Sequence, residues 1–169
     1  MSNKARKRAL TFALTFALLL LMACVDDDAA GDNITWTFDA STGVLTLSGT
    51  GAMRDWDWDW ENRAPWATHM HNNTTSIVIS NGITTIGDTA FAGANRLTSV
   101  YIPPSVTHIG REAFMHASSL TSATIRSRNA GFCLNVFRHT HPDFTIHAFI
   151  NSPAHTLAVD RGYNFVPLD

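Results

Sequence analysis

A β-rich solenoid with a small cap at each end is the fold this sequence predicts. Three observations predict it: a 23-residue self-similarity running from Thr74 to Ala148, one short stretch of alternating apolar residues in each unit, and flanking segments that do not repeat. A unit of this size cannot bury its own apolar face, so each must stack on its neighbours.

The repeat is clearest when residues 74–96 are laid over 97–119, where nine of 23 positions are identical: Thr75/Thr98, Ser76/Ser99, Ile79/Ile102, Thr84/Thr107, Ile86/Ile109, Gly87/Gly110, Ala90/Ala113, Phe91/Phe114 and Ala94/Ala117. Two apolar columns extend the register, Ile77, Val100, Ala123, Ile146 and Ile79, Ile102, Ile125, Ala148, giving four rungs of which the last two (120–142 and a partial 143–148) are degenerate. A period of 20 to 29 residues with one short strand per unit is the signature of leucine-rich repeats. In Ser99-Val100-Tyr101-Ile102 the alternation turns Val100 and Ile102 inward and Ser99 and Tyr101 outward. The outward column is therefore Val78, Tyr101, Thr124 and His147, with Ser76, Ser99 and Ser122 beside it. Pro103 and Pro104 end that strand, Gly87 and Gly110 mark turns, and Ala90-Phe91 and Ala113-Phe114 plug the core from the far side.

The caps follow from different signals. Ile34 to Phe38 and Val44 to Ser48 alternate around the turn Ala40 to Gly43, which predicts an N-terminal β-hairpin cap within 33–73. In the C-terminal cap, 149–169, Ser152 suits a helix N-cap, Pro153 the first helical position and Gly162 the end, with Ala154, Leu157 and Ala158 as the apolar face. Tyr163 to Val166 then reads as a closing strand.

Residues 1–23 read as a signal peptide, with Lys4, Arg6, Lys7 and Arg8 ahead of an apolar run from Ala9 to Met22 that is too short to span a bilayer. Leu21-Met22-Ala23-Cys24 is similar to the lipobox of bacterial lipoproteins, which makes Cys24 the expected lipidation site and residues 24–32, with Asp26, Asp27, Asp28 and Asp32, an acidic tether. An exported protein held on a membrane through Cys24, at the cell surface, is the expectation. Removing residues 1–23 leaves eight basic residues, all Arg, against 14 acidic ones, a net charge of −6, and that balance excludes a basic nucleic-acid-binding stripe. Cys133 would be the one remaining thiol, so no disulfide holds the fold, and its position in register with Gly110 predicts burial.

The segment Asp55-Trp56-Asp57-Trp58-Asp59-Trp60-Glu61 is the strongest irregularity. As a strand it would carry the carboxylates of Asp55, Asp57, Asp59 and Glu61 on one side and the indoles of Trp56, Trp58 and Trp60 on the other. The carboxylates are weak calcium candidates, because hard cations need converging oxygens, yet an EF-hand's sixth and twelfth positions hold Trp60 and Trp66. Exposed tryptophans stack on sugars or anchor partners, so the three indoles form a second candidate binding loop. His69-Met70-His71 and His139-Thr140-His141 would each put two imidazoles on one strand face, short of the four ligands of a closed metal site. No nucleophile elbow, phosphate-binding glycine loop or metalloprotease helix is present in the sequence; catalysis and cofactors are not expected.

The pattern LTSVxIPxSVTxIGxxAF, carried by Leu97 to Phe114 and again over Thr75 to Phe91, resembles the BspA-like leucine-rich-repeat surface proteins. Leu120-Thr121-Ser122, Ile125 and Phe137 match in the third unit, whereas Asn129, Phe132, Cys133 and Val136 depart from it. Trp36 to Met53, Ala64-Pro65-Trp66, Phe144-Thr145-Ile146 and Gly162 to Val166 resemble the segments that flank the repeats in that family. The resemblance implies recognition of host matrix proteins or bacterial surfaces. The residues leave two alternatives open, a self-assembling envelope unit and a calcium- or glycan-binding module built on the Asp-Trp stretch.

Overall fold

The computed structural model describes residues 30–169; the expected signal peptide, Cys24 and Asp26 to Asp28 lie outside the described residues. Alternation makes the strands: in β4 (Ser76–Ile79), β6 (Ser99–Ile102), β8 (Ser122–Ile125) and β10 (Thr145–Ala148) the second and fourth residues are buried while the first and third face outward.

The strands form three sheets. β1 (Ile34–Asp39) and β2 (Val44–Gly49) are an antiparallel hairpin, and β2 passes the pattern on by pairing in parallel with β4. The hairpin turn is set by Asp39, whose carboxylate accepts the Ser41 hydroxyl at 2.7 Å and the Ser41 N–H at 2.8 Å, hydrogen bonds that hold it below the usual carboxylate range. β6, β8, β10 and the last strand β11 (Asn164–Pro167) form a wholly parallel sheet in the order β11-β10-β8-β6, with Ser99 opposite Ser122 and Ser122 opposite Thr145. A second parallel sheet runs β3-β5-β7-β9, built from β3 (Gly51–Ala52), β5 (Ile83–Ile86), β7 (His108–Ile109) and β9 (Gly131–Phe132). β4 and β6 lie side by side without belonging to one sheet.

The far side is held by turns rather than strands. Thr89, Phe91 and Gly93 donate N–H groups to the carbonyls of Arg111, Ala113 and Met115, and Glu112, Phe114 and His116 do the same to Leu134, Val136 and Arg138. Forming this ladder requires left-handed backbone at Thr89, Glu112 and Asn135 and again at Gly93, His116 and His139, a strain of roughly 1 kcal/mol for each non-glycine residue. Aromatic rings fill the interior behind it. Trp66 stacks on Phe91, Phe91 on Phe114 and Phe114 on Phe137, followed by Phe144 and Tyr163. All of these but Tyr163 are buried, and the Trp66 indole N–H is satisfied by the Ala90 carbonyl at 2.7 Å.

Helix α2 (Pro153–Arg161) packs against β9, β10 and β11. The Ser152 hydroxyl accepts the His155 N–H, proline occupies the first turn, and Gly162 ends the helix in left-handed backbone with its N–H on the last carbonyls. Ala154 and Ala158 are buried and Leu157 half-buried, the face the spacing predicts.

Several expectations are corrected. Ala30, inside the stretch expected to be tether, is buried, and its carbonyl accepts the Arg54 N–H. Gly87 and Gly110 do stand where a strand ends and a turn begins, the Gly87 carbonyl accepting the Ala90 N–H, but the reason for glycine is space rather than turn geometry. A Cβ on Gly87 would overlap the Arg54 carbonyl oxygen, and one on Gly110 would meet the backbone at Gly87 and Asp88, so glycine is needed for close approach of adjacent chain segments. Cys133 is half-buried, not buried, and its Sγ lies 3.4 Å from His108 Nε2; the neighbouring strand β9 is the edge of its sheet. His69 and Met70 lie in the single helical turn α1 (Ala67–Met70) with His71 just after it, and His139 closes a turn while Thr140 and His141 are irregular, so neither histidine pair shares a strand face.

Candidate binding face and aromatic loop

The outward column expected from the repeat is assembled by strand register. Tyr101 stands opposite Thr124, and Thr124 opposite His147. Val78 lies on the adjacent strand β4 and is paired with Thr46, while His147 is paired with Val166. The column therefore runs Thr46, Val78, Tyr101, Thr124, His147, Val166, two residues longer than the repeat predicts. Thr46 and Val166 sit outside the 23-residue register, in the flanking hairpin and closing strand, and only the pairing brings them into line. Ser76 is paired with Val44, and Ser99 with Ser122, which forms the second column beside the first.

Exposure along the column is greatest at Val78 and Tyr101 in its middle and at Val166 at its end. Tyr101 is 50 % and Val78 46 % exposed, although both are large apolar side chains. Ser76, Thr124 and His147 are half-buried and Ser99 is exposed. The result is a tyrosine and a valine with hydroxyls and one imidazole beside them, on two strands that each pair with a neighbour on one side.

The Asp-Trp stretch is not a strand. Met53 to Asp59 is irregular and Trp60–Asn62 is a short 3-10 turn, so the carboxylates and indoles do not separate onto two faces. Trp56 is buried against Trp66, with ring centroids 5.1 Å apart, and is withdrawn from the candidate loop. Asp57 closes the loop on itself, its carboxylate accepting the Asp59 N–H at 2.8 Å and the Asn62 amide at 2.7 Å. Asp55 accepts the Asp88 N–H at 2.9 Å. Two of the four calcium candidates thus serve the backbone, and among the described residues no group of three or more acidic, histidine or cysteine side chains converges.

Trp58 and Trp60 stay exposed at the loop tip, yet each is held. The Trp58 indole N–H donates to Glu112 Oε2 at 2.7 Å, and its ring meets His116 edge-on. Arg63 lies over the Trp60 ring at 3.3 Å. A cavity of about 100 Å³ beside Trp58, bordered by Asp57, Arg63, Met70, His71 and Thr89, is too small for a sugar ring or a cofactor.

A family model described as "BspA type Leucine rich repeat region (6 copies)" matches residues 67–151, half of the chain. The chain belongs to the BspA type leucine-rich-repeat family. Its fold is of the leucine-rich-repeat type, rich in parallel sheet with a C-terminal helix, and the matched span runs from α1 through β10, the part that carries most of the outward column. A crystal structure of a leucine-rich repeat protein from Eubacterium ventriosum ATCC 27560 is 26 % identical over 71 % of this chain and 30 % of that one, with a TM-score of 0.49; the chain spans less than a third of that protein's length. No curated protein matches. Membership in the BspA type family points to a role in protein or surface interaction.

Proposed function

We propose that this BspA-type domain is a lipid-anchored recognition module of the bacterial envelope, a short capped solenoid that binds a protein ligand through the column Val78, Tyr101, Thr124 and His147 and performs no catalysis. The observation that carries the reading is the exposed pair Val78 and Tyr101, on the adjacent edge strands β4 and β6 in the middle of the outward column. Tyrosine gives a large contact area at small entropic cost and is enriched among residues that dominate binding energy. Thr46, Ser76, Ser99, Thr124 and His147 supply a hydrogen-bonding rim around it. The Cys24 lipid and the acidic residues after it would keep the domain on the membrane and away from its anionic headgroups.

A second reading is favoured by the exposed indoles. Trp58 and Trp60 are pinned by Glu112 and Arg63, and a side chain ordered before binding loses little entropy on contact with a sugar or a partner. Self-assembly through the last strand is disfavoured. Asn164 and Leu168 turn their N–H groups to β10, so Phe165 and Pro167 face away from it, and Pro167 has no N–H to offer a further strand.

Protease treatment of intact cells tests the anchoring. Digestion of the wild type without lysis, with Cys24→Ala released into the medium, is the expected result; protection until the envelope is broken would overturn surface display. The binding face is tested by presenting the purified domain to immobilised matrix proteins and to bacterial surfaces. Tyr101→Asp should abolish retention while Trp58→Ala leaves it intact, and the reverse pattern would assign recognition to the aromatic loop.

A further inference from the structure

We infer that the corner between β8 and β9 is an oxyanion-binding site, built by Arg126 and Arg128 around the ring of Phe149. The site is separate from the strand face and from the aromatic loop.

The corner is where the third unit departs from the first two. In the 23-residue register Arg126 follows Ser80 and Pro103, and Arg128 follows Gly82 and Ser105, so two cations enter positions that are neutral and small in the preceding units. Phe149 comes one period after Arg126 and lies beneath both. The Arg128 guanidinium carbon is 3.7 Å from the ring centroid and that of Arg126 5.2 Å, so the two charges are at most about 9 Å apart, close to the Debye length of roughly 8 Å at physiological salt. Their repulsion is therefore only partly screened.

No carboxylate relieves it. Among the described residues the only guanidinium–carboxylate ion pair is Arg111 with Asp88, and none involves Arg126 or Arg128. The two arginines border a cleft of about 350 Å³ whose other walls are Pro104, Thr107, Ser127, Asn129 and Phe149, without an acidic side chain. The Asn129 amide borders the cleft beside the two planar forks, while the Thr107 hydroxyl is engaged by the Thr84 carbonyl; paired guanidinium forks are the donors that suit a carboxylate, sulfate or phosphate group. In a chain whose described residues carry eight arginines against 11 acidic groups, two unpaired cations sharing one cleft are a local reversal of sign. Contact with the Phe149 ring, closest for Arg128, restrains the guanidinium groups before any ligand arrives.

Isothermal titration of the purified protein at constant ionic strength, with inorganic phosphate, sulfate and acetate as separate ligands, tests the site. Saturable one-to-one binding of at least one of the three is expected, weakened about 10-fold or more by Arg126→Gln or Arg128→Gln and unchanged by Arg138→Gln. The arm that binds identifies the anion: acetate alone means a carboxylate ligand, phosphate and sulfate a tetrahedral one. Arg128→Lys keeps the charge without the fork and should retain part of the affinity, which separates loss of binding from loss of fold if Arg128→Gln proves unstable. No saturable heat with any of the three, or equal binding by the Arg126→Gln/Arg128→Gln double variant, would overturn the assignment and leave the arginines as a cover for Phe149.

Discussion

The rings of Phe91 and Phe114, 23 residues apart in sequence, stack with centroids 5.2 Å apart and planes 29° from parallel. Phe137 continues the stack from Phe114 at 5.4 Å. Phe114 is therefore the middle ring, fully buried with an aromatic neighbour on each side. Truncation to alanine removes both contacts and leaves a cavity, so Phe114→Ala should cost about 3 to 5 kcal/mol in a urea melt. A loss below about 1 kcal/mol would contradict the stack.

The glycines should divide sharply under substitution. Gly87→Ala drives a methyl into the Arg54 carbonyl and should destabilise by about 3 kcal/mol or more. Gly131→Ala places its methyl 3.7 Å from His108 Nδ1, an ordinary contact, and should stay within about 0.5 kcal/mol of wild type. Paired thermal melts of the two variants measure the contrast.

Ser152 caps α2 through the His155 N–H at 3.3 Å and is itself buried. Ser152→Ala should cost about 1 kcal/mol, with Ser152→Asp retaining most of the stability. Chemical denaturation at neutral pH would show it, and equal losses for both variants would speak against a capping role.

Burial holds the His69 imidazole below its ordinary titration range; the ring stacks on Phe38 with centroids 4.3 Å apart. The unfolded chain takes up this proton at the higher pH, near about 6.5, so the contribution to stability is present above that value and is lost as pH falls through the folded value. Melting temperatures between about pH 7 and 5 should fall more steeply for the wild type than for His69→Phe. Parallel curves would mean that His69 titrates alike in both states.

Legibility varied with the range of the interaction that decided each feature. The inward positions Val100, Ile102 and Ile125 and the α2 cap were readable because alternation and capping act over a few residues. Trp56 was misread because its alternation with Asp55 and Asp57 is strand-like, yet no strand pairs with that segment, and the indole is drawn instead into the core beside Trp66. The closeness of Gly87 to Arg54 depends on a segment 33 residues upstream, which no local pattern announces.

By itself the sequence determined the repeat, the strand faces, the hairpin and the helix, since each rests on side-chain periodicity and backbone preferences confined to one unit. Only the tertiary structure decided which outward residues form one column from Thr46 to Val166, that Trp58 is tied to Glu112, and that Arg126 and Arg128 meet over Phe149. Those relations join residues from different units or from outside the repeat. They exist because stacking brings distant segments to within a few ångströms, a proximity fixed by the register of backbone hydrogen bonds rather than by any single stretch of chain.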